Sequence, residues 1–532
     1  MPDDAATLAI FNALFASVAE EMGVALGRTA HSPNIKERRD YSCAVFDDEG
    51  RLMAQAAHIP VHLGAMQEAV RAALPLAPFA PGDVVILNDP YLGGTHLPDV
   101  TMVSPVFAAP ERGRRRRPLA GFVASRAHHA DVGGMAPGSM PLASDIYQEG
   151  VIIPPLKLFA RGRPNREVLA LFLRNVRTPQ ERRGDLEAQA AAHRVGERRL
   201  GEIVARYGLE ETRRQMAALM EYAERMTRAA LRQVPAGEYE FEDFLDDDGL
   251  SDEPLPIRLR LRVGDGALHC DFSGSAAERE SSINAVAAVT RSAVYYVVRC
   301  LLDEHVPSNE GCFRPVTFHL PEGSIANARP PRAVSAGNVE TSQRIVDAVL
   351  GALVRALPDL VPAASAGTMN NVSIGGQDPF RGRAFAYYET VGGGAGAGPQ
   401  NDGLSGVHTH MTNTLNTPVE ALEMTYPFRI RRYELRRGSG GAGAHRGGDG
   451  LVREWEFLVP AEVTVIAERH RRGPWGLAGG AAGLPGRTTY RPAGGAPVEL
   501  PSKVHLRVDK GDALTLESPG GGGWGTPADA FP

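Results

Sequence analysis

Two histidines and an aspartate in the first quarter of the chain are the residues best placed to do chemistry. His96 and Asp99 lie in the stretch NDPYLGGTHLPDVTM, and His128 opens HHADVGG. Between them, apolar segments at 100–107 and 119–127 flank the basic stretch ERGRRRR at 111–117, which predicts a β-hairpin with an exposed, solvated tip. Residues that face each other across an antiparallel pair have numbers of constant sum. A hairpin centred near 113.5 therefore sets Asp99 opposite His128, and a turn through Leu97-Pro98 brings His96 to the same end. Two imidazoles and a carboxylate with open coordination positions are the ligand set of a divalent metal such as Mn²⁺, Fe²⁺ or Zn²⁺; without thiolates the set does not force zinc. The open positions hold a water made nucleophilic or a carbonyl oxygen to be polarised. Asp40, Asp89 and Asp131 are candidates for further ligands or for carboxylates that orient an imidazole. His129 points to the opposite strand face from His128, which makes it the acid/base candidate, with Asp131 as the carboxylate beside it. His408 and His410 form a second pair that shares one strand face if the segment is extended; the simpler reading is a pair of polar loop histidines.

These residues need a framework, and the apolar periodicity supplies one. A helical pattern covers residues 5–27, and a strand with a tight turn follows at 43–52. A short buried strand at 83–87 stops at the polar loop Asn88-Asp89-Pro90. Helix dominates from 182 to 234, breaks near Tyr207-Gly208 and ends at Pro235-Ala236-Gly237. A strand-turn-strand pattern at 239–245 and 257–263 encloses Asp246–Gly249, which lacks the spaced ligands and closing glutamate of a calcium loop. Helical patterns recur within 282–302 and 333–356, and beyond about residue 390 the chain becomes glycine-rich with short strands. The expected fold class is mixed α/β (α+β) in several lobes: a metal-site α/β region over 1–160, a helical region over 161–234, a mixed α/β region over 235–390 and a β-rich, glycine-rich region over 391–532.

Composition narrows the partners. The 532 residues carry 57 Lys+Arg against 63 Asp+Glu, so no basic field favours nucleic acid or an anionic membrane. Lys36, Lys157, Lys503 and Lys510 are the four lysines, and none follows a glycine, so the chain has no phosphate-binding P-loop. Any ATP chemistry must use another type of site or another chain. Cys43, Cys270, Cys300 and Cys312 are too scattered for a zinc ribbon or a disulfide scaffold and read as mostly buried thiols in a reducing cytosol. The acidic start and the lack of an apolar run near the ~18–20 residues of a membrane span predict a cytoplasmic protein.

With these segments laid out, the chain resembles the B-subunit family of ATP-dependent hydantoinases, homologous to the C-terminal half of 5-oxoprolinase and related to a large subunit of acetone and acetophenone carboxylases. The resemblance runs through IKERRDYSCAVFDDEGRLMAQAAHIPVHLGAM (35–66), residues 88–102, HHADVGGMAPGSMP (128–141), NVRTPQERRGDLEAQ (175–189), AGNVETSQRIVDAVLGAL (336–353) and DGLSGVHTHMTNTLNTPVEALE (402–423). It implies a partner A subunit with an actin-like ATPase fold that binds ATP with Mg²⁺ and activates the substrate. The B subunit then completes hydrolysis of a five-membered cyclic amide, 5-oxoproline or a hydantoin, within a hetero-oligomer. The metal residues of the carboxylase relatives carry over to His96, Asp99 and His128, and the family's acidic residue in the KERRD segment to Asp40 as an additional ligand. The alternatives are a subunit of a biotin-independent acetone- or acetophenone-type carboxylase and a non-catalytic scaffold for the ATPase subunit.

Overall fold

The computed structural model describes residues 5–56, 58–110 and 117–527. All of the expected basic hairpin tip except Arg117 falls outside these residues. The N-terminal helical pattern forms α1 (Ala5–Thr29), and Ser32 caps the short α2 (Pro33–Lys36) by accepting the Ile35 N–H. Seven antiparallel strands follow: β1 (Tyr41–Phe46), β2 (Leu52–Gln55), β3 (Val84–Leu87), β4 (Asp99–Phe107), β5 (Leu119–His128), β6 (Leu156–Ala160) and β7 (Arg163–Pro164). Their spatial order is β2-β1-β5-β4-β3-β6-β7, so the β4–β5 hairpin occupies the middle of the sheet. α3 (His62–Ala73) lies between β2 and β3 in sequence, and α4 (Arg166–Arg174), α5 (Pro179–Tyr207) and α6 (Leu209–Leu231) follow the sheet.

The hairpin is apolar on both faces because both are covered. Val45, Val106 and Val123 pack with Phe15, Val18 and Met22 of α1 and with Ala192 of α5. Ala44, Phe46, Val103 and Phe122 pack on the other side with Met66, Ala69 and Val70 of α3. A strand pair buried in this way reads as an apolar run rather than an alternation. By length and composition α1 is apolar enough to cross a membrane, contrary to the expectation from sequence. Its Phe11, Phe15, Val18, Met22 and Leu26 are buried in this core instead.

The second sheet has the order β11-β10-β9-β8, from β8 (Gly237–Leu245), β9 (Leu255–Gly264), β10 (Ala267–Asp271) and β11 (Val316–His319). It alternates cleanly. Leu255, Ile257, Leu259 and Leu261 face a core shared with α7 (Ala287–Cys300) and α8 (Ser342–Leu353), while Arg258, Arg260 and Arg262 pair across the exposed face with Glu242, Glu240 and Glu238. A turn of π-helix, Gly337–Thr341, leads into α8.

The C-terminal part contains β12 (Asn371–Asp378), β13 (Arg383–Thr390), α9 (Val419–Thr425), β14 (Phe428–Arg436), β15 (Gly450–Phe457), β16 (Ala461–Ile466), β17 (Arg487–Arg491), β18 (Val498–Leu500), β19 (Lys503–Val508) and β20 (Ala513–Glu517). They form two sheets, β13-β12-β16-β19 and β14-β15-β20-β17-β18, so strands before and after residue 390 share one sheet. The glycine-rich segments cross one another backbone to backbone: a Cβ on Gly521 would lie 1.9 Å from the Ala395 carbonyl oxygen. That contact leaves no space for any other residue.

Candidate metal centre

The hairpin register places Asp99 opposite His128, as its arithmetic predicts. Asp99 opens β4 and His128 closes β5, so both lie at the sheet's end, away from the hairpin tip. The Asp99 N–H donates to the His96 carbonyl at 3.1 Å, a turn that folds His96 back onto the same end. His96, Asp99 and His128 are all buried, and one potential ligand atom from each lies within 4.8 Å of the others. They line a cavity of about 20 Å³, room for a single water or ion. Asp40, just before β1, lines it too, as do residues from far along the chain: Asn338 and Val339 of the π-helical turn, Met369, Tyr388, and Met411 with Thr412.

The electrostatics suit a cation. Burial opposes ionisation of Asp99, yet the neighbouring imidazoles of His96, His62 and His128 hold its carboxyl well below the ordinary carboxylate range. Burial lowers the pKa of His128 despite the opposing pull of Asp99, leaving a neutral imidazole. The Nε2 atoms of His96 and His128 are buried with no hydrogen-bond partner among the described residues. Two unpartnered imidazole nitrogens beside two carboxylates in a one-ion cavity fit a divalent metal of the Mn, Fe or Zn type.

Several contacts fix this set in place. His62, at the start of α3, donates from Nε2 to Asp99 Oδ2 at 3.1 Å, while its Nδ1 accepts from the Ser42 hydroxyl at 2.8 Å. Thr95 donates to the same Asp99 oxygen at 2.5 Å. Tyr388 stacks on the His128 ring with centroids 4.3 Å apart and planes 11° apart, and the Arg38 guanidinium lies 5.1 Å from the Tyr388 centroid. Sequence reasoning missed His62 and Tyr388. The signal for His62 was present in HIPVHLGAM, where an imidazole opens an otherwise apolar helical pattern.

His129 and Asp131, the expected proton-handling pair, are not among the residues lining the cavity. His129 donates from Nε2 to Gln189 Oε1 of α5 at 3.0 Å, and burial lowers its pKa to about 4. Asp131 accepts from the Arg177 N–H and guanidinium, both at 2.9 Å. His129 does leave the strand on the other face from His128, as the period of two requires. That face meets α5 rather than a substrate space. Asp89 accepts the Tyr91 N–H at 2.9 Å and caps a short 3₁₀ turn. The extended arrangement of His408 and His410 is not adopted: His410 has φ +60° and donates from Nε2 to Asp347 at 3.1 Å. The acidic turn after β8 serves as a hydrogen-bond acceptor, Asp246 taking the His470 N–H at 2.7 Å.

With this geometry established, comparison with known proteins gives one family over nearly the whole chain, Hydantoinase B/oxoprolinase, matched over residues 4–527. The chain belongs to the Hydantoinase B/oxoprolinase family. It is 39% identical over 552 aligned positions to 5-oxoprolinase 1 of Arabidopsis thaliana, covering 98% of this chain and 42% of that protein. It therefore spans about two fifths of the length of the plant enzyme. A putative D-/L-hydantoinase B subunit from a Pseudomonas species is 34% identical, with 97% of this chain and 89% of that one covered. Among solved structures, the ATP-dependent caprolactamase from Pseudomonas jessenii superposes with a TM-score of 0.90 at 30% identity, over 99% of this chain and 92% of that one. The nucleotide-free acetone carboxylase shares the fold with a TM-score of 0.88 at 21% identity, over 99% and 76% of the two chains. The mixed α/β architecture is that of these neighbours.

Proposed function

We propose that this chain is the B-type subunit of an ATP-dependent amidohydrolase that opens a five-membered cyclic amide, of the 5-oxoproline or hydantoin type, in a complex with an ATPase A subunit. The observation that carries the reading is the one-ion cavity in which the unpartnered Nε2 atoms of His96 and His128 meet Asp99 and Asp40. In this reading His96, Asp99, His128 and Asp40 hold a divalent metal. When bound, such an ion polarises a ring carbonyl or lowers the pKa of a water. The chain's own residues supply the rest: Asp99 stays ionised, His128 stays neutral, and the surrounding apolar and aromatic side chains keep bulk water out. ATP is assigned to the partner because an unstrained lactam resists opening and this chain has no P-loop. The names of the relatives, 5-oxoprolinase, D-/L-hydantoinase and ATP-dependent caprolactamase, support a cyclic amide as substrate. His129 and Asp131 enter as positioning residues, since their hydrogen bonds tie the strand end to α5 and to Arg177.

The test is purification with the A-type subunit, metal analysis, and ATP turnover over 5-oxoproline, hydantoins and ketones. Turnover with a cyclic amide, lost together with metal content in His96→Ala and Asp99→Ala, is the expected result. Bicarbonate-dependent turnover of a ketone would replace this reading with the carboxylase. Full turnover in both variants would reduce the chain to a scaffold.

A further inference from the structure

Outside the one-ion cavity lies a larger chamber of about 610 Å³. Three stretches of chain pass from one space to the other. Asp40 lines the inner cavity while Arg39 and Tyr41 on either side line the chamber; Ile59 lines both; Met411 and Thr412 line the cavity while Asn413 and Leu415 line the chamber. The two spaces adjoin along these stretches and share Ile59. In the function proposed above the chamber serves as the vestibule, taking the remaining atoms of a molecule whose reacting atom lies among His96, Asp99 and His128.

The vestibule wall carries three cations: Arg28 from the last turn of α1, Lys36 at the end of α2, and Arg39. All three are exposed, and none forms an ion pair with an acidic side chain among the described residues. Glu20 and Glu37 also line the wall, so the formal balance is three positive charges against two negative. His58 adds none near neutral pH, because burial, His62 and Arg39 lower its pKa to about 4.

Arg39 is the informative residue of the three. Its φ is +55°, in the left-handed region that L residues rarely adopt and glycine adopts freely. The neighbouring backbone holds it there: the Asp40 N–H donates to the Asn34 carbonyl at 3.2 Å, and the Asp40 carbonyl accepts the His128 N–H at 3.0 Å. This turn gives Asp40 to the cavity and Arg39 to the vestibule. Strain of this kind concentrates where a side chain has a task, and an arginine in a glycine's conformation fits a charge put to use.

We infer that the vestibule binds an oxyanion carried by the substrate, a carboxylate or a phosphoryl group, through Arg39 with Arg28 and Lys36. The placement of the reacting carbonyl in the inner cavity rests on the function proposed above; the anion site itself does not. Arginine suits both groups because its planar fork donates two parallel hydrogen bonds. The bound oxyanion would orient the ring before its amide carbon reaches the cavity, and would select acidic cyclic amides over neutral ones.

The experiment is calorimetric titration of the full chain with 5-oxoproline, with 2-pyrrolidinone, which is the same ring without the carboxylate, and with inorganic phosphate. At least one anion is expected to bind and the neutral ring not to saturate. Arg39→Gly should weaken anion binding by about tenfold or more while Tm stays the same or rises, since the backbone there suits glycine. Arg39→Lys should recover part of the loss, and Arg28→Glu should weaken binding in the same direction. Binding of 5-oxoproline but not phosphate assigns the site to a carboxylate, and the reverse assigns it to a phosphoryl group. Equal affinity for 5-oxoproline and 2-pyrrolidinone, no binding of either anion, or unchanged affinity in both Arg39→Gly and Arg28→Glu overturns the inference. No arm requires turnover. A complex that fails to hydrolyse cyclic amides while its chain still binds anions through Arg39 would therefore refute the function and leave the site standing.

Discussion

Asp99 can accept from Thr95, His62 and the two candidate ligand imidazoles at once, and the quality of the centre depends on how firmly that carboxylate is held. His62 is the support most open to test. Its Nδ1 is committed to Ser42, which fixes the Nε2 proton on Asp99, and partners that orient a ligand carboxylate typically contribute about 10- to 100-fold to metal affinity. His62→Ala is therefore expected to weaken divalent-metal binding by about 10- to 100-fold, measured by competition with a chelator, and His62→Gln to weaken it less. Undiminished affinity in His62→Ala would remove it from the centre. The triad was legible because a hairpin obeys simple arithmetic over about thirty residues. Neither His62 nor Tyr388 was, since His62 arrives from a helix packed across the sheet and Tyr388 from a strand of a different sheet. No local rule relates those positions to residue 99.

At the scale of elements, the strand ends that carry the centre are clamped by one helix. From α5, the Gln189 amide donates to the Val100 carbonyl at 3.1 Å and to the Ser125 hydroxyl at 3.2 Å, one turn before His193 bridges Ser104 at 2.7 Å and Ser125 at 2.9 Å. His193 is buried and its pKa falls to about 3 through burial, with Arg194 adding to the effect. The unfolded chain thus takes up this proton first as pH falls below about 6.5, and the folded chain only near 3. The stability that depends on neutral His193 is complete above about pH 6.5 and is lost on acidification, by about 1.4 kcal/mol per pH unit. Between pH 7 and 5 that amounts to about 2 kcal/mol, and His193→Gln should remove this part of the pH dependence in urea-unfolding free energies. A variant with the same acid slope as the parent would show that His193 is not protonated on unfolding. The helix itself was legible from its alanine-rich periodicity and the break at Gly208. Its polar clamp was not, because Gln189 and His193 resemble solvated positions until the sheet beneath them is known.

At the scale of the whole molecule, the second sheet, α8 and the C-terminal strands meet at a buried cluster of charges. Asp243 ends up beside Arg344 and Arg469, Asp347 beside both arginines and His410, and Lys503 reaches Glu468 at 2.6 Å and Asp247 at 3.1 Å. Asp247 belongs to the DDDG turn, which the sequence presents as an ordinary reversal; its partner lies 256 residues further on, beyond any pattern that composition or periodicity can reveal. Burial disfavours the Lys503 ammonium, but Glu468 and Asp247 more than compensate and raise its pKa to about 12. Removing that one cation takes the nearest positive charge from both carboxylates and leaves them only Arg344, 3.7 Å from Glu468, and Arg471, 3.3 Å from Asp247. Lys503→Met is therefore expected to cost about 3 kcal/mol in equilibrium unfolding, the low end for breaking a buried ion pair, because the two arginines remain. Pairing it with Glu468→Gln should restore a good part of the loss, because the second change removes one of the stranded charges. If the double variant is as unstable as the sum of the two single ones, the charges act independently. The pairing of Lys503 with Glu468 would then contribute nothing of its own to the junction between the second sheet and the C-terminal strands.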